Sequence, residues 1–285
     1  MTTTPVVDSH HHFWNPAERA YPWMEELTAL QRPFDADDMR PLLAAAGVDY
    51  TVIVQTVSDV QETREFLHTA AETDFVAGVV GWVDLTNPDI DQTLRSLKDR
   101  PDGHYLVGIR HQVHDERDAD YLRRGAVQRG ISAIGAAGLV YDLLLKPPYI
   151  DAAVACVSAL PDVRFVIDHI AKPEIASDGF ERWARKMAPF AGMPHVYCKL
   201  SGMVTEADWK SWTPETLKPY IAQVMEWFGE DRVMFGSDWP VCTLAGSYQQ
   251  VIDALRDGLG DIPPESEAKI FGGNAIDWYR LPIPG

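Results

Sequence analysis

The sequence predicts an α/β fold, a single (β/α)8 TIM-type barrel domain spanning residues 1–285. Three observations lead there. Eight short apolar, β-branched runs alternate with segments of helical periodicity along nearly the whole chain, which implies a parallel sheet with crossover helices. Polar residues gather at the C-terminal ends of those runs, where barrels of this type build their sites. No Gly-X-Gly-X-X-Gly follows the first run and no phosphate-binding loop occurs, so an open nucleotide-binding sheet loses support.

In chain order the strands are expected at 6–12, 50–56, 75–85, 106–113, 137–144, 163–170, 195–202 and 233–239. Helical spacing is read over 37–46, 60–73, 120–129, 150–160, 180–190 and 214–228. The first strand is followed by an aromatic, proline-rich loop over 13–34 with Trp14, Pro16, Tyr21, Pro22, Trp23 and Pro33. Two readings of it stay open: a lid whose tryptophans touch a substrate, or a loop pinned by them to the barrel rim. The tail from 263 to 285 reads as one or two short helices capped by proline-rich coil, and no linker, repeat or low-complexity tract divides the chain.

Composition narrows the partners. An apolar share of 46% can fill a sizeable core, and a formal net charge of -17 argues against nucleic acid or an anionic membrane surface, which the general field would repel. No basic cluster precedes an apolar run near Met1, and no stretch approaches the ~20 apolar residues of a membrane span. A cytoplasmic location is expected. Cys156, Cys198 and Cys242 lie far apart and outside any Cys-X-X-Cys pattern, so buried thiols are expected rather than disulfides or a zinc ribbon. A homo-oligomer is left open.

The residues that could carry chemistry sit at strand ends. In the first strand, Asp8-Ser9-His10-His11-His12, alternation sends His10 and His12 one way and His11 the other. Two imidazoles side by side suit a divalent ion or a polarised carbonyl, and Asp238 in Gly236-Ser237-Asp238-Trp239-Pro240 is a carboxylate that could take a proton from water. Purely structural histidines, and a purification-tag remnant, are the bland readings. Further strand ends contribute Gln55, Trp82, Arg110, His111, Tyr141, Asp142, Asp168, His169, Lys199 and Trp239. Asp168 is expected to point away from the barrel interior. Lys199 is read either as pairing with Asp142 or as binding a substrate hydroxyl.

At these positions the chain resembles the amidohydrolase superfamily, and within it the branch of sugar and aromatic-acid lactonases, most closely the L-fucono-1,5-lactonases. The motifs that carry the likeness include Asp8 to Trp14, Tyr21-Pro22-Trp23, Val80-Gly81-Trp82, Gly108 to Gln112, Val140-Tyr141-Asp142, Asp168 to Pro173, Cys198 to Gly202 and Met234 to Cys242, so it spans the whole chain. The resemblance implies hydrolysis of a small-molecule sugar lactone by an Asp238-activated water, with His10, His12 and His169 stabilising the oxyanion. It implies either a single zinc or other divalent ion on His10, His12 and Asp238, or catalysis without a metal. Two-metal members carry a carboxylated lysine or a glutamate on strand four, where this chain has Arg110 and His111, so a binuclear cluster is not expected. Trp23, Gln55, Trp82, Arg110, His111, Tyr141, Lys199 and Trp239 are the expected substrate contacts. With Arg110 the only arginine at a predicted strand end, a neutral aldonolactone suits the set better than a pyrone dicarboxylate. A rhamnono-, galactaro- or muconolactone, a zinc-dependent decarboxylase of the same superfamily, and a non-catalytic sugar-binding barrel are the competing readings.

Overall fold

The computed structural model describes residues 4–177 and 179–283. Eight strands run β1 Val7–His11, β2 Tyr50–Val54, β3 Val76–Gly81, β4 Leu106–His111, β5 Val140–Leu143, β6 Arg164–Ile167, β7 Val196–Leu200 and β8 Val233–Phe235. Each pairs in parallel with the next, in sequence order. Beyond β8 the chain returns to β1: Asp238 N–H donates to the His10 carbonyl at 2.8 Å, and His12 N–H to the Trp239 carbonyl at 2.7 Å. This closes the barrel that the eight apolar runs predicted.

Eleven α-helices are interleaved or appended: α1 Ala36–Ala46, α2 Val60–Glu72, α3 Ile90–Lys98, α4 Gly125–Ala136, α5 Ile150–Ala159, α6 Phe180–Met187, α7 Met203–Glu206, α8 Pro214–Phe228, α9 Tyr248–Leu259, α10 Pro264–Ala268 and α11 Asn274–Tyr279. Local sequence fixes their ends. Asp35 accepts from the N–H groups of Asp37 and Asp38 to start α1, and Gly47, at φ 67°, ends it in the left-handed conformation. Ser247 and Gln250 form a reciprocal capping box on α9. The segment expected to be helical at 120–129 is instead a 3-10 turn, Tyr121–Arg123, and then α4, whose Gly130 and Gly135 weaken the helical signal. Helices α3 and α9 were not among the expected segments. The tail is nearly continuous helix from 264 to 279, through a π-helical turn at Lys269–Gly273. Among the described residues no helix is long and apolar enough to cross a membrane.

The side-chain alternation of the strands divides the core in two. Val7, Val52, Val54, Val80, Val107, Val140, Val166 and Met234 pack with Tyr279 and Leu281 inside the barrel. Ile53, Val79, Ile109, Tyr141, Phe165, Ile167, Cys198 and Phe235 pack outward among the helices. This division decides which polar residue of each strand end can reach the site.

Candidate active site

β1 delivers His10 and His12 as alternation requires, while His11 bonds Thr51 Oγ1 at 2.9 Å and packs its ring on Phe13. His10 has room because residue 236 is glycine: a Cβ there would stand 2.7 Å from His10 Cβ. Asp238 enters from the other side of the closure at φ 58°. His169 arrives by a different route. Asp168 follows the β6 pleat inward, and the backbone then turns left-handed at His169, Ile170, Ala171 and Lys172, with φ 52°, 47°, 60° and 47°. The turn brings the His169 ring round to the same point.

The four side chains converge. His12 Nε2 lies 3.4 Å, His169 Nε2 3.7 Å and His10 Nε2 3.8 Å from Asp238 Oδ1, and the His10 and His12 Nε2 atoms are 3.3 Å apart. Their outer nitrogens have close partners: His12 Nδ1 the Val54 carbonyl at 2.7 Å, His169 Nδ1 Ser201 Oγ at 2.8 Å, and His10 Nδ1 both Asp168 Oδ1 at 3.2 Å and Lys199 Nζ at 3.3 Å. A carbonyl can only accept, so His12 carries its proton on Nδ1 and presents a bare Nε2. Arg110 Nη1, which can only donate, sits 3.2 Å from His10 Nε2, so that nitrogen is bare as well. Burial holds all three imidazoles below their ordinary pKa and so keeps them neutral. Burial works against the Asp238 charge; the groups that lower its pKa to about 2 are His169 and then His12 acting as proton-bearing neighbours, a role that a bound cation would take over where the rings are neutral and His12 Nε2 is bare. His12 Nε2, the Asp238 carboxylate and His10 Nε2, which here accepts from Arg110, lie close enough to share one point, a donor set that fits one divalent cation. Arg110 on strand four brings a guanidinium, not a carboxylate, to the edge of this set.

A cavity of about 360 Å³ opens above this cluster. Trp23, Leu27, Leu144, Trp209, Val241 and Leu244 give it apolar walls, while Thr56, Arg110, Gln112, His114, Asp115, Lys146, Lys172, Thr205 and Glu206 add polar groups. Arg110 is paired with Asp168 at 3.1 Å and Lys172 with Glu206 at 2.6 Å, so two of the cavity's cations are already neutralised. Lys146 is exposed at the mouth.

Several expected substrate contacts lie elsewhere. Of that set, Trp23 and Arg110 line the cavity. Gln55 shares the outward face of Ile53, and Tyr141 packs outward against Phe165, because Thr56 and Asp142 take the inward positions of their strands. Lys199 is fully buried on Asp142 and Asp168, at 2.7 and 3.0 Å. Trp239 packs edge-on to Phe13 and Phe34. Trp82 donates to His111 at 3.0 Å, and His111 stacks on Tyr121 beside a neighbouring surface hollow. Asp168, expected to point away, faces the interior, because β6 stays in register through Ile167. In the loop over 13–34, both readings hold in part: Trp14 is pinned, its indole N–H on the Leu30 carbonyl at 3.0 Å, and Trp23 walls the cavity. Lys172, inside the Asp168 to Pro173 motif, also lines the cavity. Thr205 and Glu206 come from α7 and Trp209 from the loop that follows it, beyond the end of β7, with no strand-end signal to mark them.

A family model described as Amidohydrolase matches residues 7–281. The chain is 40% identical to an L-fucono-1,5-lactonase of Burkholderia ambifaria, covering 98% of this chain and 96% of that protein. It is 33% identical to an L-fucono-1,5-lactonase of Burkholderia multivorans over 98% of this chain and 97% of that one. Among solved structures, an amidohydrolase from Burkholderia multivorans with bound zinc matches with a TM-score of 0.91 and 33% identity, over 98% of this chain and all of that one.

Proposed function

The chain belongs to the amidohydrolase family, and we propose that it hydrolyses a sugar-acid lactone, L-fucono-1,5-lactone or a similar aldonolactone, by attack of a water that Asp238 deprotonates. The observation that carries the reading is the cluster of Asp238, His10, His12 and His169 beneath a cavity whose Arg110 and Lys172 are already paired. The lactonase relatives support the substrate class. An uncharged ring suits apolar walls with scattered polar groups, whereas a dicarboxylate would need several unpaired cations, and beside the paired Arg110 and Lys172 the cavity offers Lys146 at its mouth.

Asp238, its pKa lowered so that it is ionised near neutral pH, accepts the water proton as oxygen attacks the lactone carbonyl. The same proton then passes to the ring oxygen as the C–O bond breaks, so that one water is consumed and a hydroxy acid is released. A carboxylate is a weak base toward free water, so the water needs to be acidified by its surroundings. One divalent ion such as zinc, held by His10, His12, Asp238 and His169, would supply that acidity and polarise the carbonyl. The bare Nε2 atoms of His10 and His12 cannot donate to a carbonyl oxygen, which favours the ion-bound arrangement over direct hydrogen bonding by these two rings.

The test is a panel of aldonolactones assayed for acid release, with metal content measured beside the kinetics. Asp238→Asn is expected to lower kcat by ~10²–10⁴-fold, and chelation to abolish turnover until metal is restored. A folded Asp238→Asn protein that opens the lactone at the wild-type rate overturns the mechanism.

A further inference from the structure

Beneath the cluster, the barrel interior holds a layer of charge where valines would be expected. Arg110, Asp142, Asp168 and Lys199 are all at most 2% exposed. Lys199 Nζ lies 2.7 Å from Asp142 Oδ2 and 3.0 Å from Asp168 Oδ1, and Arg110 Nη1 lies 3.1 Å from Asp168 Oδ2. From α11, at the closed end of the barrel, the Tyr279 hydroxyl donates to Asp142 Oδ2 at 2.6 Å. Of these residues, Arg110 alone lines the cavity, so the layer as a whole does not bind substrate. Desolvating four ionisable side chains is costly, and a buried ion pair is often no more stabilising than the apolar packing it replaces. Its upper edge touches one group of chemical interest: His10 Nδ1 lies 3.2 Å from Asp168 Oδ1 and 3.3 Å from Lys199 Nζ, and of these two neighbours only the carboxylate can accept a proton from the ring.

We propose that Asp168, steadied by Lys199 and Arg110 and through Lys199 by Asp142 and Tyr279, is a positioning residue that holds His10 in the tautomer with hydrogen on Nδ1 and a bare Nε2 toward the cavity. This rests on the reading of His10 as a cluster member given above. A neutral imidazole free of such a partner samples both tautomers, and a ring bearing hydrogen on Nε2 would turn a donor toward His12 and Arg110. The layer therefore matters for ligation rather than for substrate contact.

The test uses full-length protein with 15N-labelled histidine, stripped of metal, together with Zn²⁺ affinity measured by competition with a chromophoric chelator. Wild type should show His10 as the Nδ1–H form. Asp168→Asn should populate the other tautomer and bind zinc ten- to a hundredfold more weakly, as loss of a ligand's hydrogen-bonding partner typically does. Tyr279→Phe, which removes one hydroxyl remote from the cavity, should weaken zinc binding by about threefold, and keeps the proposal testable if Asp168→Asn fails to fold. An unchanged tautomer and zinc affinity in a folded Asp168→Asn protein, or in Tyr279→Phe if the former does not fold, overturns it. Lactone hydrolysis by the wild type is scored separately: its absence would sink the functional reading while leaving the tautomer and zinc readouts to stand.

Discussion

Neighbouring strands β5 and β6 end in similar dipeptides, Tyr141-Asp142 and Asp168-His169, and deliver them differently. β5 stays pleated through Leu143, so Asp142 enters the barrel and Tyr141 goes outward to Phe165. β6 stops at Ile167, and its pleat sends Asp168 inward; the left-handed run from His169 to Lys172 then brings the second residue in as well. A pleated strand gives the interior one side chain in two. Supplying two in succession takes four non-glycine residues at positive φ, each costing about 1–2 kcal/mol. The surroundings hold the turn: Trp183 donates its indole N–H to the Ile170 carbonyl at 2.7 Å, Lys172 N–H bonds the His169 carbonyl at 2.8 Å, and Gly202 leaves space beside the His169 ring.

The contrast is most directly broken at the glycines. In Gly202→Ala the new Cβ would stand 2.6 Å from His169 Nδ1, at a backbone φ of 62°. Displacing the ring should lower kcat by about 10²-fold, the scale of a misplaced catalytic group. Gly138→Ala, just before β5 at φ 80° with nothing within 4 Å of its Cβ, should lose about 1 kcal/mol of stability and no activity. Equal kinetic losses in the two variants would mean that backbone strain, not His169 placement, is being measured.

The exit of β2 offers a third arrangement, in which a buried side chain holds the turn. Glu62 accepts from the Thr56 and Val57 N–H groups at 2.8 and 3.2 Å and from the Thr56 hydroxyl. Burial pushes its pKa up to about 7, even though these donors favour the charge. The folded pKa is raised above the unfolded one, so the stability this group contributes is fully present below about pH 4.5 and is lost as pH rises through about 7. Urea unfolding of wild type against Glu62→Gln should show the wild type losing up to ~3 kcal/mol relative to the variant across that window. Parallel pH profiles would refute the assignment. The smallest effect is expected on the pleated side of the comparison. Tyr141→Phe removes a buried hydroxyl with no partner, and should leave kcat and KM unchanged and stability within about 1 kcal/mol of wild type; a kinetic loss would show that Tyr141 reaches the substrate after all.

The barrel and the first-strand pair were legible in the sequence because each rests on periodicity. Eight β-branched runs gave the strands, and a period of two separated His10 and His12 from His11. The same period, applied to β2 and β5, would have placed Gln55 and Tyr141 outside, since the apolar residues two positions before them belong to the outer face; proximity to the strand end was the weaker guide. Asp168 and His169 resisted for the opposite reason. Alternation assigns them opposite faces, and no glycine marks the left-handed turn that overrides it, since Ile170 and Ala171 are residues that disfavour positive φ. Lys172 and Trp209 reach the cavity from loops, and Glu206 from the single turn of α7, where no period is long enough to read.

The hydrogen bonds that join the barrel's two ends run between the very residues that carry the candidate chemistry: Asp238 N–H to the His10 carbonyl, and His12 N–H to the Trp239 carbonyl. The seam of the barrel is therefore the floor of the cavity. Ser237 bonds the His10 carbonyl across 227 positions of chain, so these contacts form only when the most distant parts of the sheet have found each other. Contacts of such separation come late in assembly, after the cost of closing the loop has been met. A partly folded chain can hold seven paired strands and still have no site, which makes the spacing of His10, His12 and Asp238 a local reporter of whether the whole sheet has closed.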